Sequence, residues 1–207
     1  MKKLAIYCLS LAFASSCGSS ASQKEKETST EDTPAASEVV QEEVIQPNVS
    51  SDAETTAKIQ NSMLLGEIEK KDFLSPPFDS WFNTNYDSYK PAPEDLEKIK
   101  KNIAKIDQVV IFMGTWCSDS KREVPHFFRI LEESGFDLEK VKMIAVDRNK
   151  TAPDASQDEY QVSMVPTIIF YKGGEEVGRF VEYPRETLEK DIAKIVSGEP
   201  YKHSYEN

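Results

Sequence analysis

The feature that most narrows what this chain can become is a short apolar run followed by a helical pattern. Val109 to Met113 is uniformly apolar, as expected of a strand buried on both faces of a sheet. Gly114, Thr115, Trp116 and Cys117 lead from it into Ser118 to Ser134, where Val124, Phe127, Phe128 and Leu131 share one helical face. A second apolar run, Val141 to Val146, ends at Asp147. Strand, helix and strand in this order predict a βαβ unit. After a connection holding Pro153 and Asp154, Val162 to Pro166 runs into Thr167 to Tyr171, the turn Lys172, Gly173, Gly174, and a strand from Glu176 to Glu182. That pattern predicts a hairpin. Pro184 to Ser197 closes the domain as a helix with Leu188, Ile192 and Ile195 on one face and Gly198 as its C-cap.

Upstream, Leu96, Ile99, Ile103 and Ile106 form the inner stripe of another helix, with Pro93 near its start. Ile59, Met63, Leu64 and Ile68 predict a short helix. The stretch Phe73 to Tyr89 carries Phe73, Phe78, Trp81, Phe82, Tyr86 and Tyr89 at irregular spacing, which reads as an extension packed on the core; a carbohydrate or peptide platform is the functional alternative. From Gly18 to about Thr55 the chain is Ser, Thr, Glu, Ala and Gln with no aromatic residue. Such a segment cannot bury enough apolar surface to offset its ordering entropy, so it is expected to be a disordered acidic tether. Its apolar patch at Val39, Val40, Val44 and Ile45 leaves open a docking role for Glu42 to Ile45.

The N-terminus has the form of an export signal. Lys2 and Lys3 precede an uncharged, largely apolar run from Leu4 to Ala14, too short to span a bilayer. Ala14, Ser15 and Ser16 then meet Cys17, an arrangement that resembles a bacterial lipoprotein signal, in which the cysteine is acylated on sulfur and becomes the mature terminus. Ala14 stands where that signal more often has Leu. Ordinary cleavage after Ala12, Phe13, Ala14 would instead leave Cys17 as a free thiol.

Composition excludes several functions. Twenty-five Lys and Arg against 36 Asp and Glu, a formal charge of -11, leave no bulk surface for neutralising phosphates, so no nucleic-acid partner is expected. No Gly-x-Gly-x-x-Gly or P-loop string is present. Three Cys and two His are too few for most zinc sites, and neither metal nor cofactor is expected. Asp147 and Asp154 lack a ligand spacing and read as turn formers. His126 lies nine positions after Cys117, about 13–14 Å along a helix, and His203 sits in a polar tail without an evident partner. Neither offers a Cys-His pair.

Taken together, the βαβ unit, hairpin and closing helix resemble the thioredoxin superfamily. Trp116 and Cys117 match the Trp-Cys that opens its active-site motif; Lys121 and Pro125 follow at four and eight residues. Met164, Val165, Pro166 and Thr167 are similar to the segment bearing the superfamily's cis-proline, and Gly174 and Gly178 stand where its hairpin has glycines. The resemblance implies an α/β, thioredoxin-like fold, a central mixed sheet flanked by helices, here with an N-terminal aromatic-rich extension. The expected organisation is a lipoprotein signal peptide at 1–16, a tether at 17–55, an extension packed on the core at 56–92, the thioredoxin-like domain at 93–198 and a polar tail at 199–207. It further implies that Cys117 is the reactive residue, with Trp116, Val165 and Pro166 lining the substrate groove and leaving the sulfur accessible.

One departure is decisive for mechanism. Where a dithiol oxidoreductase reads Cys-x-x-Cys, this chain reads Cys117, Ser118, Asp119, Ser120, and a hydroxyl cannot accept the sulfur bond that a resolving thiol takes. Ile111 also replaces the acidic residue that the superfamily buries. A thiol at a helix N-terminus faces unpaired N–H groups that favour thiolate, and Ser120 can donate to it; the charge of Asp119 opposes them, so the net sign stays open. Two functions remain. Cys117 forms a mixed disulfide that an external thiol resolves, with a thiol- or disulfide-bearing protein or a low-molecular-weight thiol as partner. Alternatively, the fold is a tethered binding or chaperone-like module with an inert Cys117. A peroxidatic role lacks the accompanying Thr and Arg. In either reading the chain is a monomer, lipid-anchored through Cys17 in the envelope of a Gram-negative bacterium and facing the periplasm or cell surface.

Overall fold

The computed structural model describes residues 59–207. The signal at 1–16, Cys17, the tether at 17–55 and the first residues of the extension lie outside the described residues.

Strand β4 (Gln108–Met113) is at the centre of a five-stranded sheet, and from Val109 onward every residue is buried. It pairs in parallel with β5 (Val141–Ala145) and antiparallel with β6 (Thr167–Lys172). Two edges complete the mixed sheet: β7 (Glu175–Val181) beside β6, and β3 (Gly66–Ile68) antiparallel to β5. The apolar run of β4 is explained by its two covered faces. Val109, Ile111 and Met113 join Ile168, Phe170 and Phe180 in the larger core, under helices α2 (Pro93–Ile103), α3 (Ser118–Ser134) and α5 (Leu188–Ser197). Val110 and Phe112 point the other way, into a smaller cluster with Ile144, Val146, Val165, Ile169 and Cys117. The reactive candidate therefore belongs to the face that does not carry the main helical layer. The short helix α4 (Ser156–Glu159) lies in the connection from β5 to β6.

In the hairpin, Gly173 and Gly174 have φ of 62° and 80° between the paired Lys172 and Glu175, a two-residue turn that side chains with a Cβ resist. The mixed sheet flanked by helices is the expected class. Two local expectations fail. The segment Ile59 to Ile68 is not a helix. Asn61 and Ser62 adopt φ of 47° and 60°, turning β1 (Ile59–Gln60) back onto β2 (Met63–Leu64), and Gly66 at φ 81° starts β3. Leu64 and Ile68 are buried all the same, because two strand fragments can present the spacing that a helix would. The last helix starts at Leu188 rather than Pro184. Thr187 caps it by accepting from Lys190 N, and Arg185 N is drawn instead to the buried Asp191 carboxylate at 2.7 Å.

The aromatic segment lies along the outside of α3. Helix α1 (Asp79–Ser88) brings Phe82 within 6.1 Å of the Phe128 ring, and Phe82 stacks on Phe73 at 5.1 Å. Trp81 meets Phe73 edge-on, with Lys121 Nζ 5.9 Å from its ring. Tyr86 donates to Glu132, which also pairs with Lys70. Each fully buried ring contributes about 1.5–3 kcal/mol, so the segment is a stabilising part of the fold that clamps the cysteine-bearing helix along its outer side.

Candidate functional site

Cys117 is the N-cap of α3, in extended conformation at φ -83° and ψ 129°. A tight turn delivers it there: Cys117 N donates to Gly114 O at 2.9 Å, and its own carbonyl accepts from Lys121 N at 3.0 Å. The thiol reaches across to the loop ahead of β6 and donates to Val165 O at 3.3 Å, beside the cis Val165–Pro166 peptide bond. The chain thus brings Cys117, Val165 and Pro166 together from positions about fifty residues apart. The sulfur is less open than the resemblance implies. Cys117 is only 9% exposed.

Trp116 walls the site and is fixed from three sides. Its Nε1 donates to Val146 O at 3.0 Å, the Arg148 guanidinium lies 5.7 Å over the indole, and the ring sits against Gly114. A Cβ built on Gly114 would stand 2.6 Å from both Cε2 and Nε1 of Trp116, so glycine is needed for close approach. Ser120 is fully buried, and its Oγ accepts from Gly114 N at 3.2 Å. It therefore ties helix α3 to the end of β4, while the hydrogen bond of the sulfur goes to Val165. Thr115, also buried, accepts from Leu64 N at 3.2 Å, joining the reactive loop to the N-terminal segment.

Sequence reasoning picked Trp116, Cys117, Ser120, Val165 and Pro166, which share this corner of the fold; Cys17 lies outside the described residues. It passed over Val146, Arg148 and the packing role of Gly114. The signal for Val146 was available in principle, since a half-buried indole N–H needs an acceptor.

The charges around the helix start are largely paired. Arg122 bonds Asp119 at 2.6 Å and Glu123 at 2.7 Å, which offsets the Asp119 charge. Burial pushes the Glu123 carboxyl up even against Arg122. His126 stacks on Tyr89 at 4.1 Å, and burial, aided by Arg122, lowers it to about 4. It is neutral at pH 7. His203 does have partners. Its Nδ1 accepts from Tyr205 N at 3.2 Å, and Nε2 lies 3.8 Å from Glu206; burial holds it below its usual value, with Arg179 and Arg185 adding to the effect. Asp147 accepts from Asn149 N and Thr151 N, and Asp154 from Ser156 N and Oγ, as turn formers do. Among the described residues no group of three His, Cys, Asp or Glu is arranged to hold a metal.

Chemically, the site is a single thiol beside a cis-proline loop, without a second thiol among the described residues. A family model described as thioredoxin matches residues 92–194. Thioredoxin H2-1 of Oryza sativa subsp. japonica is 32% identical over 104 residues, covering 50% of this chain and 70% of that protein. A thioredoxin of Staphylococcus aureus is 33% identical over 89 residues, covering 42% and 80%. Thioredoxin O2 from Arabidopsis thaliana, solved in its oxidized state, aligns with 22% identity and a TM-score of 0.31, covering 44% of this chain and 74% of that one.

Proposed function

The chain belongs to the thioredoxin family, whose domain points to thiol-disulfide redox chemistry, and on that premise we propose that it is a monothiol exchange protein of the bacterial cell envelope. The observation that carries the reading is the placement of Cys117 at a helix N-terminus, against Val165 and Pro166, with Ser120 at the position of a resolving thiol.

The chemistry is a two-step exchange. Cys117 loses its proton to solvent and attacks one sulfur of a partner disulfide; the new S–S bond forms as the old one breaks, and the departing sulfur leaves as a thiolate. An external thiol, protein-borne or small, then attacks the mixed disulfide, takes the partner sulfur and returns Cys117 to the thiol. Ser120 cannot perform that second step. Helix α3 assists the first by aiming its free N–H groups at the developing charge, and the loop at Val165 and Pro166 would align an extended partner strand. Lipid attachment at Cys17 and an acidic tether at 17–55 would hold the domain off a membrane surface, at the periplasmic or outer face.

The test is adduct trapping with the full chain. Cys117-dependent mixed disulfides should appear on non-reducing gels and be identified by mass, and Cys117→Ser should abolish them. If the native chain reacts with no disulfide and yields no such adduct, the redox assignment fails and a binding module is what remains. For the anchor, Cys17→Ser should move the protein out of the membrane fraction.

A further inference from the structure

The C-terminal tail, residues 199–207, is polar in sequence yet folds back beside the cis-proline loop. Arg185 donates to Lys202 O at 3.3 Å and Glu206 O at 2.6 Å, Ser204 Oγ to Tyr183 O, and the Tyr205 hydroxyl to the Glu182 carboxylate. Tyr201 reaches the buried Asp191 at 3.2 Å. Glu182 N in turn donates to Pro166 O at 2.7 Å. The tail is therefore pinned next to Pro166. Two aromatic rings are left facing solvent there, Tyr183 and Tyr205, each 46% exposed with centroids 6.0 Å apart.

Between tail and loop lies a cavity of about 170 Å³, lined by Met164, Thr167, Arg179, Val181, His203 and Tyr205 among others. It is on the same sheet face as Cys117. Thr167 pairs with Val181 and Ile169 with Arg179, and Ile169 packs in the cluster that holds Cys117 and Val165. Met164 and Thr167 flank Val165 and Pro166, so a strand running along that loop at ~3.3 Å per residue brings a side chain two residues from its bonded cysteine to the cavity.

Resting on the redox assignment above, we propose that this cavity is a specificity subsite, made by the C-terminal tail, that takes an aromatic side chain near the reactive cysteine of an extended polypeptide substrate. Its size suits one side chain, being well below the ~300–1,000 Å³ of small-molecule pockets. Its charged side chain is already engaged. Arg179 is spent on Glu176 at 2.6 Å and on the Tyr160 carbonyl at 3.0 Å, and the Thr167 hydroxyl on Met164 O at 2.8 Å. Besides Gln161 and Ser163, what remains is the Met164 thioether, Val181 and the Tyr205 ring, walls suited to an aromatic face. With Nδ1 accepting from Tyr205 N, neutral His203 carries its proton on Nε2, which lies 3.8 Å from Glu206 Oε1, beyond hydrogen-bond distance, so that a tyrosine hydroxyl would accept it.

The test uses the full chain, with Cys117→Ser as the background for the other cysteines. Peptides whose single cysteine is capped as a mixed disulfide with nitrothiobenzoate are offered with Tyr, Leu or Ser two residues from that cysteine. Attack by Cys117 releases the coloured thiolate, and adduct mass identifies the product. Tyr should react about tenfold faster than Ser, and the ratio should fall toward one in Tyr205→Ala and shrink in His203→Ala. A ratio near one in the unaltered chain, or one that survives both substitutions, overturns the subsite; equal rates for Leu and Tyr overturn its aromatic preference. Hydroxyethyl disulfide separates the two layers: if the unaltered chain fails to react with it through Cys117, the redox assignment itself is at fault.

Discussion

Replacing Gly114 by alanine probes how the reactive loop is held. The new Cβ would stand 2.6 Å from two indole atoms of Trp116, where ordinary contact needs 3.4 Å or more, so the ring must retreat by nearly 1 Å. That displacement stretches the Trp116 Nε1 bond to Val146 O, now 3.0 Å. Overpacking of this kind costs about 1–3 kcal/mol, and weakening the hydrogen bond adds up to about 1 kcal/mol. Midpoints from urea unfolding, followed by circular dichroism, should show a loss of about 1–4 kcal/mol, or roughly 2–16 °C in Tm for a domain of this size. The sharper measurement is a double-mutant cycle with Trp116→Ala. With the indole gone, Gly114→Ala should be neutral or stabilising by up to about 1 kcal/mol, through reduced freedom of the unfolded chain. An equal cost in both backgrounds would refute the idea that the glycine exists to admit the ring.

Two further outcomes follow from buried titratable groups. His126 is held near 4 in the folded chain against its ordinary 6.5, so the unfolded state binds the extra proton between these values. Its contribution to stability is complete above pH 6.5 and is lost as pH falls toward 4; the loss should be about 1–2 kcal/mol once its half-exposed ring is allowed for. His126→Phe keeps the stack on Tyr89, and subtracting its urea profile from the parent's should leave this slope; a flat difference sinks the assignment. Asp191 accepts from Arg185 N and the Tyr201 hydroxyl, while its Oδ1 has no partner among the described residues. Asp191→Ala should cost about 1–3 kcal/mol and expose the tail to proteolysis. Asp191→Asn retains an acceptor without a buried charge and should cost clearly less, an order that equal losses would contradict.

The residues that proved readable in sequence are those whose burial is two-sided or whose turn chemistry is local. Val109 to Met113 could only be a central strand, and Gly173 with Gly174 could only turn a hairpin. Trp116 and Cys117 were visible because strand end, turn and helix start are adjacent in the chain. Ile59 to Ile68 was misread since apolar spacing alone does not separate a helix from two strand fragments; the deciding residues were Asn61, Ser62 and Gly66, which accept positive φ. The tail was opaque for a different reason. Its partners, Tyr183, Glu182 and Arg185, are polar and about twenty positions away, and periodicity carries no trace of such contacts. Likewise Ser120 announced the missing thiol, while its bond to Gly114 depends on where the turn places a backbone N–H.

Strand β3 is three residues long, yet it occupies the outer side of β5, pairing Gly66, Glu67 and Ile68 with Ala145, Ile144 and Met143. A chain shortened to the family-matched residues 92–194 would lose it. The bare edge of β5 would then offer a row of unsatisfied N–H and C=O groups bordered by Met143 and Ile144, a template for strand addition between molecules. Seen in that light the N-terminal segment is a guard against self-association as well as a brace, and protein shortened to residues 92–194 should aggregate where protein keeping residues 59–207 does not.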